Sequence, residues 1–391
     1  MKIGHIALSG TFTEGFNYHE NELSQAQKDI ADNDVFIIAR NSKRVGKDTV
    51  YCEPETKTMS NGVRLFRVKM KFSRHNVFTK PANPNDVLRI LDNEKPDLIW
   101  VHGVTNNSLS IVAKYKKRNH VVVFADNHVD EGNFRMAFPR TLILDLYKAR
   151  NRRLAKYVDV FYGVTPGRVA FMNRYLGVPK NKSKLSIMGA NSSLIPFSDR
   201  EKIRSDVRKA HSMPNDAFVF VSGGNLNNAK KTLELIGAFI KGADAKSRLL
   251  LFGSVDTAIK DRFDQLVASD SRVIYAGWKD SIGCNRLFLA SDCAVFPRSH
   301  STLWENSLAC GVVSVFGQKD GLDHLFISHG RYLDCSADEN LIHFFNTFPQ
   351  SIEYQNLRAQ AGEGRNNYFY ENIAKEIYDD YRNVIMGAKN G

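Results

Sequence analysis

The stretch Val219–Phe239, VFVSGGNLNNAKKTLELIGAF, decides the fold. A run of β-branched and aromatic residues ends in Ser222-Gly223-Gly224, a polar loop follows, and a helical stretch runs from Thr232 to Lys241. This is the strand–turn–helix unit of a parallel α/β sheet. The same alternation recurs outward in both directions. Toward the C-terminus, Arg248–Phe252, Val273–Tyr275, Cys293–Phe296 and Val312–Phe316 read as strands, with helices at Ile259–Ala268, Ser281–Ala290 and Leu303–Ala309. Toward the N-terminus, KIGHIALSG (residues 2–10), Val35–Ala39, Asp97–His102, Val121–Phe124 and Val158–Val164 read as strands, with helices at Asn21–Ala31, Ser108–Arg118 and Leu142–Lys156 and another through Val87–Leu91.

The fold class is therefore α/β: two doubly wound, Rossmann-like units with parallel sheets. The polar, proline-containing stretch NSSLIPFSD (191–199) marks the boundary. We expect an N-terminal domain over residues 1–195, a C-terminal domain over 196–370 and a last amphipathic helix in 371–391. Ligands of such sheets bind at the carboxyl ends of strands, which places the site in a cleft between facing domains.

The composition fits this reading. The chain has 391 residues, enough for two cores, with 43% hydrophobic and 25% charged residues. No apolar run approaches the roughly 20 residues that span a bilayer. The N-terminus enters a strand pattern directly, without a signal region, so a cytoplasmic protein is expected. The five cysteines are odd in number and lack CxxC spacing, which argues against a disulfide framework and a cysteine zinc site. The net charge of +12 is lopsided: residues 1–195 hold 31 Lys and Arg against 18 Asp and Glu, and the remainder 23 against 24. Basic clusters stand at 64–74, 114–118 and 148–153. Such a field suits an anionic membrane face, an acidic acceptor or nucleic acid, or simply solubility. No nucleic-acid motif accompanies it, so no nucleic-acid partner is expected.

Two motifs begin where strands end. In the first, Gly223 and Gly224 let backbone amides approach a phosphate, and Lys230 and Lys231 supply positive charge at a helix start. In the second, SDCAVFPRSHSTLWENSLACGVVSVFG (291–317), a polar turn opens a helix at Ser301, Thr302 and Leu303. Helix N-terminal amides there face an anion, and Glu305 one turn on can accept two hydrogen bonds from a ribose diol. In the first half, His102 ends the strand LIWVH, and Glu14 and Glu20 are acids close to the first glycine turn; Glu20 and His102 are candidate acceptor contacts.

These pieces, in this order, resemble the retaining glycosyltransferases of family 4, which have the GT-B fold. The likeness runs through FTEGFNYHENELSQAQKDI (residues 12–30), FMNRYLGVPKNKSKLSIMGAN (171–191), the first motif, RVIYAGWKDSIGCNRLFLASDCAVFP (272–297), WENSLACGVVSVF (304–316) and YFYENIAKEIYDDY (368–381). It implies a hexosyl- or related transferase that carries a sugar, with retention, from a nucleotide sugar to a glycan or lipid-linked acceptor in bacterial surface polysaccharide synthesis. It makes residues 1–195 the acceptor-binding domain and 196–370 the donor-binding domain, has the helix of 371–391 cross back to the N-terminal domain, and places the turn ending at Gly15 against the donor phosphate. It puts the histidine over the reacting sugar on Asp126 or His128, the catalytic candidates. By resemblance Lys231 is the better match to the family's lysine, with Lys230 its neighbour. The sequence departs at Asn225, where the family has Arg or Lys. It departs again in the paired glutamates: the second falls on Glu305 or Asn306, and upstream stand Pro297 or Arg298. A binding-only subunit is the alternative those departures motivate. No DxD occurs, so transfer without metal or other cofactor is expected, with peripheral contact to the inner face of the membrane through the basic half.

Overall fold

The computed structural model describes residues 1–16, 18–45, 48–70, 83–134, 136–137, 140–325 and 329–389. The end of the first basic cluster, residues 71–74, lies outside them. The chain forms two compact units, Met1–Ile187 with Ile373–Gly391, and Met188–Asn372. Short 3-10 helices, Ser192–Leu194 and Phe197–Asp199, occupy the polar stretch 191–199.

The strands of the first unit are β1 (Lys2–Ala7), β2 (Asp34–Arg40), β3 (Ser42–Val45), β4 (Asp48–Tyr51), β5 (Thr56–Thr58), β6 (Arg64–Val68), β7 (Leu98–Val101), β8 (Val122–Asn127), β9 (Val160–Gly163) and β10 (Ser183–Leu185). β3 and β4 form a separate hairpin. The other eight make one sheet in the order β10-β9-β8-β7-β1-β2-β6-β5, parallel except for β5 against β6. Its central strands are continuous apolar runs because helices cover both faces. Ile6, Ile38, Ile99 and Val123 sit in one core with Val87 and Leu91 from the helix Pro84–Glu94. In the same unit, Tyr162 donates to Asp380 Oδ2 (2.7 Å) on the helix Tyr370–Lys389.

The second unit contains β11 (Phe218–Leu226), β12 (Ser247–Val255), β13 (Val273–Tyr275), β14 (Cys293–Phe296), β15 (Val313–Gly317) and β16 (Gly330–Leu333). All are parallel, in the order β13-β12-β11-β14-β15-β16. The chain winds out from β11 through β12 and then returns to β14, so the switch point lies between β11 and β14. In the first unit it lies between β1 and β7 by the same reasoning.

Two expectations change. Gly223 and Gly224 are not a turn beyond the strand but part of β11, paired with Phe252 and Gly253 of β12. The Phe252 ring lies against Gly223, where a Cβ would stand 2.4 Å from it, so the strand runs on past the glycines. The 64–68 part of the first basic cluster is strand β6, and its arginines are spent internally. Arg64 pairs with Asp34 and Glu94. Arg67 is buried, pairing with Glu55 and donating to the carbonyls of Phe12, Arg40 and Ser42. Arg150, in the third cluster, likewise holds the Val104 and Asn106 carbonyls.

Gly253 has φ 110°, and a Cβ there would lie 2.0 Å from the Gly224 carbonyl oxygen. Gly253→Ala therefore meets a strained backbone and a backbone clash together. It should cost at least about 1–3 kcal/mol, read as a fall in Tm and a lower denaturant midpoint.

Candidate functional site

In the second unit a small pocket opens at the switch point. Ser222, Gly223, Lys230, Pro297, Arg298 and Ser299 line it, from the ends of β11 and β14. Gly224, at φ 101°, turns the strand end so closely that a Cβ would stand 3.0 Å from Lys230 Nζ and 3.1 Å from Leu303 Cδ1. The Lys230 ammonium reaches Ser301 Oγ (3.3 Å) and has no carboxylate beside it among its hydrogen bonds. Burial without a counter-charge brings its pKa down to about 8. An anion is the missing partner such a site asks for.

Lys231 is turned elsewhere. It adopts φ 54° between the short helical turn Asn228–Lys230 and the helix Thr232–Gly242, and its ammonium donates to the carbonyls of Cys335 (2.7 Å) and Ser336 (3.2 Å). The cation facing the pocket is Lys230, and Arg298, read from sequence only as the place of a missing carboxylate, adds a second. Asn225 is exposed near the end of β11.

The helix after the second motif, Leu303–Ala309, has seven residues, all buried. Its aligned peptide dipoles are few, so it attracts an anion less than a long helix does. Thr302 is its N-cap and makes no side-chain cap bond. Glu305 does not face outward as a diol acceptor. It is fully buried, with Oε1 2.7 Å from His300 Nε2 and 3.5 Å from His324 Nε2. Burial works to raise its pKa, but the two imidazoles outweigh it and hold the carboxyl at about 2. The Asn306 amide donates to the carbonyls of Thr302 and Gly189. Trp304, the neighbour of Glu305, stacks on Phe316 (centroids 4.5 Å), and every residue of this helix is buried.

In the first unit the switch point carries a cluster of histidines about Asp126. The Asp126 carboxylate is fully buried and accepts from Trp100 Nε1 (2.7 Å) and Gly103 N (2.8 Å), with His102 Nδ1 at 2.7 Å. His19 Nε2 stands 3.6 Å and His128 Nε2 3.5 Å from it. His5 bridges His102 Nε2 (2.9 Å) and Gln27 Oε1 (2.8 Å). Burial opposes the charge of Asp126, yet His102 and His128 keep its pKa well below the usual range. Burial also opposes the charge of His102, and Asp126 overcomes it, so its pKa is raised. Burial lowers His5 to about 3 and His19 well below the usual value.

Of the sequence candidates here, His128 has an accessible side chain (34%), while His102 is buried inside the cluster and cannot serve as an acceptor contact. Asp126, its oxygens occupied, positions its neighbours. Glu20 is half-buried in the first turn of the helix His19–Ala31, and Gly15 is exposed at φ 76° with open space where a Cβ would be. His5 and His19 escaped the sequence reading because β1 and that helix bring them to Asp126 from positions more than a hundred residues away. Two groups among the described residues have the chemistry to hold a metal ion, His19–Asp126–His128 and His300–Glu305–His324.

Residues 31–184 match the glycosyl transferase 4-like domain. No curated protein matches the chain by sequence. Among solved structures, sucrose-phosphate synthase from Thermosynechococcus elongatus superposes with a TM-score of 0.74 at 16% identity, covering 99% of this chain and 100% of that one. Anabaena HepE in complex with UDP-glucose gives 0.69 at 14%, covering 97% and 98%. The catalytic domain of Arabidopsis thaliana starch synthase IV, bound to ADP and acarbose, gives 0.66 at 12%, covering 98% and 99%. The chain thus has the fold of the GT-B glycosyltransferases, two Rossmann-like parallel-sheet units, the first of which carries a glycosyl transferase 4-like domain.

Proposed function

We propose that the protein is a glycosyltransferase that moves a sugar, with retention, from a nucleoside diphosphate sugar to a glycan or lipid-linked acceptor. The observation that carries this reading is Lys230, a half-buried cation with no carboxylate partner among the described residues, at the switch point of the second unit beside Gly224, Arg298 and Ser301. As the donor bond breaks, charge builds on the leaving diphosphate, and a preorganised cation in a water-poor pocket stabilises it. Retention, the hexosyl class and a role in surface polysaccharide synthesis rest on the family resemblance. No metal bridge to the diphosphate is part of this reading. HepE binds UDP-glucose, which makes UDP-sugars the first donors to try.

We assign the handling of the transferred sugar or acceptor to the first unit, with His128 as its accessible imidazole and Asp126 as the group that orients it. The excess positive charge of residues 1–195 favours an anionic acceptor or membrane face, though Arg64, Arg67 and Arg150 take no part because they are paired internally. A binding-only subunit is the second reading, favoured by the inward-facing Glu305. Absence of turnover on a panel of UDP-, ADP- and GDP-sugars, with or without nucleotide binding, supports it over the first.

Lys230→Ala should weaken nucleoside diphosphate binding by roughly 10- to 100-fold, the worth of about 1.5–3 kcal/mol for a charge-assisted hydrogen bond, measured by calorimetry. The pH dependence has a definite sign. An anion raises the Lys230 pKa from about 8, so affinity is full below pH 8 and falls, at most tenfold per unit, as the free enzyme loses the proton above it. Lys230→Arg should leave the profile flat over that range, because guanidinium stays charged.

The histidine cluster separates into two behaviours. His128→Ala should lower kcat by roughly 10²-fold or more with Tm nearly unchanged. Asp126→Asn should lower both, since it leaves His102 buried without its counter-charge, a loss of about 3–5 kcal/mol. Turnover and thermal unfolding on the same preparations distinguish them.

A further inference from the structure

We propose that His300, Glu305 and His324 form a binding site for a divalent transition metal of the zinc class, independent of the donor reading above. The three side chains are buried, from 0 to 1% exposed, and converge from different segments: the turn after β14, the helix Leu303–Ala309 and the loop after β15. Their ligating atoms lie within 4.8 Å of one another. A tetrahedral zinc ion, with bonds of about 2.0–2.2 Å to nitrogen and oxygen, sets its ligands about 3.3 Å apart. The separations here, 2.7 Å for His300 Nε2 and 3.5 Å for His324 Nε2 from Glu305 Oε1, straddle that value.

The second observation is unmet bonding capacity. Glu305 Oε2 is buried and has no hydrogen-bond partner, and neither ring nitrogen of His324 makes a hydrogen bond among the described residues. Buried polar atoms in that state are costly unless something else takes them. A metal ion bound through one His324 nitrogen and the Glu305 carboxylate would meet part of that capacity. The donor set, two imidazoles and one carboxylate, suits zinc and its neighbours and not magnesium or calcium, which prefer all-oxygen shells. The other candidate group differs in this respect. Asp126 already accepts from Trp100 and Gly103 and lies against His102, so it offers a metal little.

The ion would tie together the segment 300–324 and so fix the turn that holds Ser301 against Lys230. Three protein ligands leave a fourth position for water or a ligand oxygen.

Tag-free protein is the material for the test. Wild type should carry close to one zinc per chain by elemental analysis, the His300→Ala/His324→Ala double variant none, and His128→Ala still one. After chelator treatment, added Zn²⁺ should raise Tm by several degrees and Mg²⁺ at the same concentration should not. Co²⁺ loading should give the visible absorption of a tetrahedral centre. Wild type that shows neither the Tm rise nor the cobalt spectrum overturns the proposal, as does zinc content unchanged in the double variant. Should the double variant fail to fold, His324→Gln keeps the size and polarity of the site; with native circular dichroism it must lose the cobalt spectrum, and retention of that spectrum also overturns the assignment.

Discussion

The close passage of β11 over β12 is the constraint on which the second unit's pocket depends. Gly224 and Gly253 are paired in register, and the carbonyl of one occupies the space a side chain on the other would need. Both have positive φ, so the strand ends bend where other parallel strands run straight. Lys230, after β11, lies close over Gly224 and reaches Ser301 after β14. The closeness of Lys230 Nζ to Gly224, where a Cβ would stand 3.0 Å away, leaves room at that position for glycine alone.

Charge is handled differently in the two clusters that lie near strand ends of the second unit. Lys230 is left without a counter-ion, which keeps it available. Glu305 is held between two imidazoles, which keeps it ionised while burying it. A carboxylate close to the pocket would compete with a diphosphate for the lysine, so turning Glu305 inward preserves the electrostatic bias of the site. Beside it in the same buried helix, Trp304 stacks on Phe316.

The alternation of strands and helices was legible because parallel strands buried on both faces write themselves as short apolar runs, as in Phe36–Ala39 or Leu249–Phe252. The short strands β5 and β10 and the hairpin of β3 and β4 were not, since their exposed, polar faces lack that signature. At the site, glycines and the Ser301 turn could be read from where they stand along the chain. Which of two adjacent lysines faces the pocket could not, because it depends on the left-handed conformation of Lys231 and on carbonyls of Cys335 and Ser336 a hundred residues on. His324 was invisible for the same reason: its partners lie 19 and 24 positions away with no regular spacing.

In the first unit, hydrogen-bond directions and charges lead to one assignment by separate routes. Gln27 offers its amide oxygen to His5 Nε2, so that nitrogen carries the proton. A neutral His5 then presents Nδ1 as an acceptor, and His102 Nε2 must be the donor to it. On its other side His102 Nδ1 faces a carboxylate oxygen at 2.7 Å, which requires a proton there as well. With the protons so arranged His102 carries an N–H on each side, with the Asp126 carboxylate as its counter-charge. The pKa directions agree: burial keeps His5 neutral, and Asp126 overcomes burial at His102. The pair ties the residue after β7 to β8. It leaves His128, the accessible imidazole, with Nε2 3.5 Å from Asp126 Oδ1, on the side of the carboxylate away from His102 Nδ1, which faces Oδ2.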